Sequence, residues 1–155
     1  MEIIYKIGNL LDAQTDVIAH QVNCQGVMGS GVAKQIKEKW PEVFEKYHYH
    51  AKLSQYNVLG DCQMVRIEQH KFIANLFGQK YYGQENFRYT SYDAIYDALV
   101  KLNVYMQERN CKSVAIPYKM SSDRGGADWN VILAMVESVF KNTNITIEIW
   151  QLKQS

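Results

Sequence analysis

The sequence predicts an α/β fold with helices on both faces of a mixed central sheet, and three observations carry that reading. Strand-like apolar runs alternate with helical periodicities along most of the 155 residues. Residues 63–67 and 72–77 are β-branched and aromatic runs separated only by Glu68-Gln69-His70-Lys71, a spacing that suggests a hairpin among otherwise parallel strands. Two glycine-bearing loops, 23–31 and 121–127, each follow a strand, which places both at the carboxyl edge where open α/β sheets bind ligands.

Taken in order, residues 2–7 read as a first strand ended by Gly8-Asn9, and 16–22 as a second. The second runs into His20-Gln21-Val22-Asn23-Cys24-Gln25-Gly26-Val27-Met28-Gly29-Ser30-Gly31-Val32-Ala33. Glycines here let backbone N–H groups converge, and a helix opening near Val32 adds its unpaired N–H groups and dipole, a combination suited to phosphate. The spacing fits neither a Walker loop nor G-x-G-x-x-G. Val32, Ile36 and Trp40 form the apolar stripe of the first helix, and Pro41 restarts a second through Val43, Phe44 and Tyr47. His48 and His50, two apart, do not share a helix face and read as surface residues, so no metal site is expected. After the hairpin, residues 79–87 form a polar, tyrosine-rich loop. Thr90-x-x-Asp93 resembles a capping box ahead of a helix through Tyr92, Ile95, Leu99, Leu102 and Met106, stopped at Asn110. A short strand at 113–116 leads to Pro117 and the second loop; Asp128 caps a helix with Trp129, Ile132, Leu133, Val136 and Phe140 on its core face; 145–152 is the last strand.

Composition narrows the class. The length suits one domain, 1–155, with a sizeable core, and 47% apolar with 21% charged residues is globular. Seventeen basic against sixteen acidic residues leave +1, so nucleic acid is not the expected partner, since that would need a basic stripe. No apolar run reaches the roughly eighteen residues of a membrane span, and no signal peptide is expected. Cys24, Cys62 and Cys111 are odd in number and widely spaced, and read as free thiols of a reducing cytoplasm.

The run N-C-x-G-x-x-G-x-G-V-A after an apolar strand resembles the ligand loop of the macro domain, the ADP-ribose-binding module. The likeness extends from Lys6-Ile7-Gly8-Asn9-Leu10-Leu11 through Ile116-Pro117-Tyr118-Lys119 and Gly125-Gly126-Ala127-Asp128-Trp129 to the closing strand. It implies a three-layer α/β/α fold and ADP-ribose, or an ADP-ribosylated protein, as partner, with no cofactor. Its small single-domain branch includes phosphatases acting on ADP-ribose 1″-phosphate and hydrolases of ADP-ribosyl esters.

The resemblance also implies a site. Asn9 stands where the family more often has the Asp that accepts from adenine, although a turn asparagine explains it equally. Asn23 contacts the distal ribose, and the backbone of Gly26, Gly29, Ser30, Gly31 and Val32 lies near ribose and phosphates. The second loop, commonly G-C-G-L-A-G-G, reads Ser121-Ser122-Asp123-Arg124-Gly125-Gly126-Ala127 here. Ser121 and Ser122 can donate to phosphate, Arg124 can pair with it, and Gly125 and Gly126 are retained. Asp123 would repel a diphosphate it faced, yet near the distal ribose it could activate water; otherwise it shapes the turn and pairs with Arg124. His20 is either a proton carrier, as in the phosphatase-like relatives, or a satisfied core histidine. Lys80 is either a surface lysine or the amine that attacks the opened ribose in some ester-cleaving relatives. Cys24 reads as structural; Trp150, and more weakly Tyr82, could stack an adenine, although core packing explains Trp150 equally. With the resemblance these residues imply a metal-independent hydrolase that removes a phosphate or an acyl or protein ester from the distal ribose of an ADP-ribose derivative, with a non-catalytic reader of free or protein-linked ADP-ribose as the alternative.

Overall fold

The computed structural model describes residues 1–83 and 87–153, so residues 84–86 of the expected tyrosine-rich loop lie outside the described residues. The elements run β1 Glu2–Ile7, a 3-10 turn Leu10–Asp12, β2 Val17–Asn23, α1 Gly31–Lys39, α2 Pro41–Leu53, β3 Cys62–Glu68, β4 Lys71–Gln79, α3 Tyr92–Glu108, β5 Ser113–Pro117, α4 Trp129–Phe140 and β6 Thr146–Gln151. They form one six-stranded sheet ordered β1-β6-β5-β2-β4-β3. Among the described residues only β3 runs antiparallel, paired with β4 as the hairpin spacing predicted.

Side chains alternate across β2 because successive strand residues point to opposite faces. Val17 and Ala19 pack with Ile95, Leu99 and Leu102 of α3 and Ile132 and Val136 of α4. Ile18 packs on the opposite face with Ile36 of α1 and Val43 of α2, and Val22 joins Met28, Tyr47 and Phe77 beyond it. The layers are therefore α/β/α. Among the described residues no helix is long and apolar enough to cross a membrane.

Helix boundaries follow their local chemistry. Pro41 occupies the first turn of α2, where its missing N–H costs nothing. Asn110 takes a left-handed φ of 55°, and the Cys111 N–H closes onto the Met106 carbonyl to end α3. Asp128 caps α4 by accepting from the Asn130 N–H. The expected Thr90 capping box is corrected: Ser91 is the cap of α3, accepting from the Ala94 N–H. Thr90 cannot serve because its hydroxyl is committed to Gln21 and the Ser121 carbonyl.

The sheet is open where it matters. β2 and β5 pair only at Val17↔Val114 and Ile18↔Ala115, whereas β2 stays paired with β4 through Asn23. Above Ile18 the two neighbours part, and this is also where the crossovers change direction, α1 and α2 leading to one side and α3 to the other.

Candidate active site

A cleft of about 550 Å³ fills the gap between β2 and β5. It is lined by His20, Gln21, Val22 and Asn23 of β2, residues 27 and 29–33 of the first loop and α1, Gln79 at the end of β4 with Tyr82 and Gly83 beyond it, and Pro117 at the end of β5 with residues 118–121 and 123–125 beyond it.

The first loop is built around Asn23. Its Oδ1 accepts from the Gln25 N–H at 3.0 Å and the Val27 N–H at 3.3 Å, while Nδ2 donates to the Val27 carbonyl at 2.9 Å. The buried Tyr47 hydroxyl sits 2.7 Å from the Asn23 carbonyl and 2.9 Å from Oδ1. Burial raises the Tyr47 pKa, so it stays a donor. Tyr47→Phe would leave these acceptors short of a partner and should lower stability by about 1–2 kcal/mol in urea denaturation. His48 is exposed as expected, yet its Nδ1 lies 3.0 Å from the Gly26 carbonyl and donates to it, fastening the loop to α2.

Past this clamp, Gly31 takes a φ of +59° with open space where a Cβ would sit. The turn brings the start of α1 to the cleft. The first N–H groups of a helix have no intrahelical partner, and Gly31, Val32 and Ala33 all line the cleft. Ser30 is the N-cap residue but its hydroxyl makes no capping bond. The arrangement offers unpaired donors and a positive dipole end to an anion. Lys119 and Arg124 add charge from the opposite wall.

The second loop is held by a side-chain network on the other face of β2. Gln21 Nε2 donates to Gln79 Oε1 at 2.8 Å and Thr90 Oγ1 at 2.9 Å, and Ser121 Oγ donates to Gln21 Oε1 at 2.6 Å. The Ser121 carbonyl accepts from Thr90 Oγ1 and the Ala127 N–H. Ser121 stands where the resemblance expects glycine and still adopts a left-handed φ of 68°, a costly geometry that these bonds enforce. Gly125 is needed for close approach: a Cβ there would lie 2.3 Å from Thr90 Oγ1 and 2.5 Å from the Ser121 carbonyl oxygen.

His20 lines the cleft floor and is only 2% exposed. Its Nε2 is 2.6 Å from Asn75 Oδ1, and Asn75 Nδ2 donates to Gln63 Oε1, so Asn75 presents its oxygen and Nε2 carries the proton. Nδ1 is buried and has no hydrogen-bond partner among the described residues. Desolvation outweighs the Asn75 bond and lowers the His20 pKa from 6.5 to about 4, so the ring is neutral at pH 7. Burial also raises the Cys24 thiol to about 11, which leaves it protonated and unreactive.

The expected site residues separate into two groups. His20, Asn23, Gly29, Ser30, Gly31, Val32, Ser121, Asp123, Arg124 and Gly125 converge on the cleft. Six others lie off its walls. Gly26 is packed under His48, and Gly126 abuts Phe87 and Arg88. The Ser122 hydroxyl donates to the Met120 carbonyl. Asn9 accepts from the Leu11 N–H, capping the 3-10 turn. Trp150 covers Gly8 and donates to Glu148. Lys80 is exposed with Nζ 5.5 Å from the Tyr81 ring centroid. Among the described residues no ion pair joins Asp123 to Arg124. Sequence reasoning missed Gln21, Gln79, Tyr118 and Lys119 as lining residues; the position of each just before or after a strand end was the available signal.

Comparison with known proteins agrees with this architecture. The macro domain family model matches residues 19–136. The chain is 34% identical over 143 residues to a Mycobacterium tuberculosis protein named DNA ADP-ribosyl glycohydrolase, covering 90% of this chain and 39% of that one. A Thermus aquaticus protein of the same name is 26% identical over 145 residues, covering 92% and 39%. The chain thus spans about two fifths of the length of these curated relatives. The solved macrodomain of Mycobacterium tuberculosis DarG superposes with a TM-score of 0.83 at 30% identity, covering 96% of each chain. With the sheet order, the cleft at its parting and the family match over most of its length in accord, the chain belongs to the macro domain family.

Proposed function

We propose that the cleft takes the ADP-ribose part of a conjugate and that the chain hydrolyses the bond joining the distal ribose to the attached group, DNA being that group. The observation that carries the reading is the set of unpaired α1 N–H groups opening into the cleft opposite Lys119 and Arg124, which suits a diphosphate. The name shared by the Mycobacterium tuberculosis and Thermus aquaticus relatives supports DNA as the leaving group. A net charge of +1 still argues against gripping a duplex through its phosphates, so DNA enters through its adduct rather than through a basic stripe.

Asp123 is exposed and lines the cleft, which supports it as the carboxylate that acts on water. It takes a proton from a water whose oxygen bonds to the distal C1″; the bond from C1″ to the leaving group breaks, and the leaving group keeps that electron pair and takes up a proton. His20, neutral and inaccessible, shapes the floor beneath this reaction. A route through Lys80 has one observation in its favour: its carbonyl accepts from the Cys24 N–H at 3.2 Å, tying the residue to the first loop between Gln79 and the tyrosines. There the amine nitrogen would bond to C1″ of the opened ribose as the leaving group departs with a proton, and water would later release the amine and ADP-ribose.

The test joins calorimetric titration with ADP-ribose to product release from three substrates: an ADP-ribosylated oligonucleotide, ADP-ribose 1″-phosphate and an ADP-ribosyl ester. Binding with release from the oligonucleotide, reduced at least a hundredfold in Asp123→Ala, is the expected result. A loss confined to Lys80→Ala, with borohydride trapping of a covalent adduct in the wild type, would transfer the chemistry to Lys80. Release only from the phosphate or ester would overturn DNA as leaving group, and binding without any turnover would leave a reader.

A further inference from the structure

Tyr81 and Tyr82 are the part of the site that the reaction does not use. They are 54% and 55% exposed, as several other rings of the chain are, and what sets them apart is their place at the rim of the cleft. Their backbone is held in place. The Tyr82 N–H donates to Gln25 Oε1 of the first loop at 3.1 Å, and Gln79 Nε2 donates to the Tyr81 carbonyl at 2.6 Å. Gln79 is itself held by Gln21 on the cleft floor. Tyr82 lines the cleft, and Tyr81, its chain neighbour, does not. The Lys80 ammonium lies over one face of the Tyr81 ring, 5.5 Å from its centroid, so a base stacks on the opposite face.

We infer that Tyr81 is a specificity-determining residue: its ring stacks an unpaired base next to the adducted nucleotide, while the adduct itself occupies the cleft. This rests on DNA being the conjugated group. Every base has a π-face, so an aromatic ring at a rim holds single strands with little regard to sequence, whereas the bases of a duplex already stack on one another. The occupant is argued from continuity with the cleft and from the adjoining cation, which a sugar-phosphate would meet. With a near-neutral chain, stacking rather than counterion release supplies the extra affinity, so the platform should depend only weakly on salt.

The experiment compares KM for an ADP-ribosylated mononucleotide, the same adduct in a single-stranded decanucleotide, and that strand hybridised to its complement, using wild type, Tyr81→Leu and Tyr81→Phe. The wild type should favour the single strand over the mononucleotide by roughly five- to a hundredfold, the range of one aromatic–base stack. Tyr81→Leu should abolish that preference with calorimetric ADP-ribose affinity unchanged, and Tyr81→Phe should keep it. Equal KM for mononucleotide and strand, a duplex accepted as well as the single strand, or a Tyr81→Leu protein that keeps the preference would each overturn the inference. Anisotropy with the adducted strand, competed by the adducted mononucleotide, in an Asp123→Ala protein that turns neither over separates the two readings. A strand bound roughly five- to a hundredfold more tightly than the mononucleotide, an advantage lost on adding Tyr81→Leu, in a chain whose wild type is inactive on every DNA adduct would retain the platform and reject the hydrolase; equal affinities for strand and mononucleotide would reject the platform whatever the protein hydrolyses.

Discussion

Asn23→Ala should unfold the first loop's geometry and lower stability on the order of 3 kcal/mol. The side chain is 8% exposed and engages two backbone N–H groups, one backbone carbonyl and the Tyr47 hydroxyl. Alanine removes all of these contacts at once and leaves the Tyr47 hydroxyl and the loop amides competing for the remaining carbonyls. The ligand consequence is larger than the stability figure. Residues 27 and 29–33 line the cleft, and their placement depends on a turn that Asn23 closes, so ADP-ribose affinity should fall more than a hundredfold by calorimetry. Asn23→Asp separates the causes, because a carboxylate keeps the acceptor for Gln25 and Val27 but cannot donate to the Val27 carbonyl. It should fall between wild type and alanine; equal affinity in all three proteins would show that the loop holds its shape without this clamp.

The second large effect is on pH. His20 has a folded pKa of about 4 against 6.5 unfolded. Between these values the unfolded chain binds a proton that the folded chain refuses. Stability is therefore complete above pH 6.5, falls as the pH drops towards 4, and changes no further through this group below that. The difference of about 2.5 units corresponds to about 3 kcal/mol. Carboxylates titrate in the lower part of the same window, so the measurement is a comparison. Denaturation of wild type and His20→Gln at pH 7.5 and pH 4 should show a pH-dependent loss about 3 kcal/mol greater in the wild type. Equal losses would mean that the histidine gains a proton in the folded state as readily as in the unfolded one.

Much of the architecture was legible because its signals are local. The i, i+3, i+4 recurrence of α3 and the four-residue hairpin spacing each lie within a short window, and both elements formed where the pattern put them. The two loops were legible for the same reason. What escaped is non-local. That Gln21 and Gln79 would face one cleft depends on β5 leaving β2 after Ile18, which no run of neighbouring residues encodes. The hydroxyl of Thr90 was misread as a cap because its partners lie 69 and 31 residues away in the chain. Asn9 takes up the turn role that its place after Gly8 already offered, and Trp150 is directed to Glu148 by a hydrogen bond within its own strand.

The parting of β2 from β5 also bears on how such a protein changes over generations. Its two three-stranded halves, β1-β6-β5 and β2-β4-β3, meet through the pairs at Val17 and Ile18, and the residues that line the cleft begin only above them. The rungs that hold the chain together and the residues that line the cleft are thus different parts of the same strands. A second loop can exchange glycine for Ser121 or acquire Asp123 without disturbing a single ladder bond, so selectivity can drift while the scaffold is inherited intact.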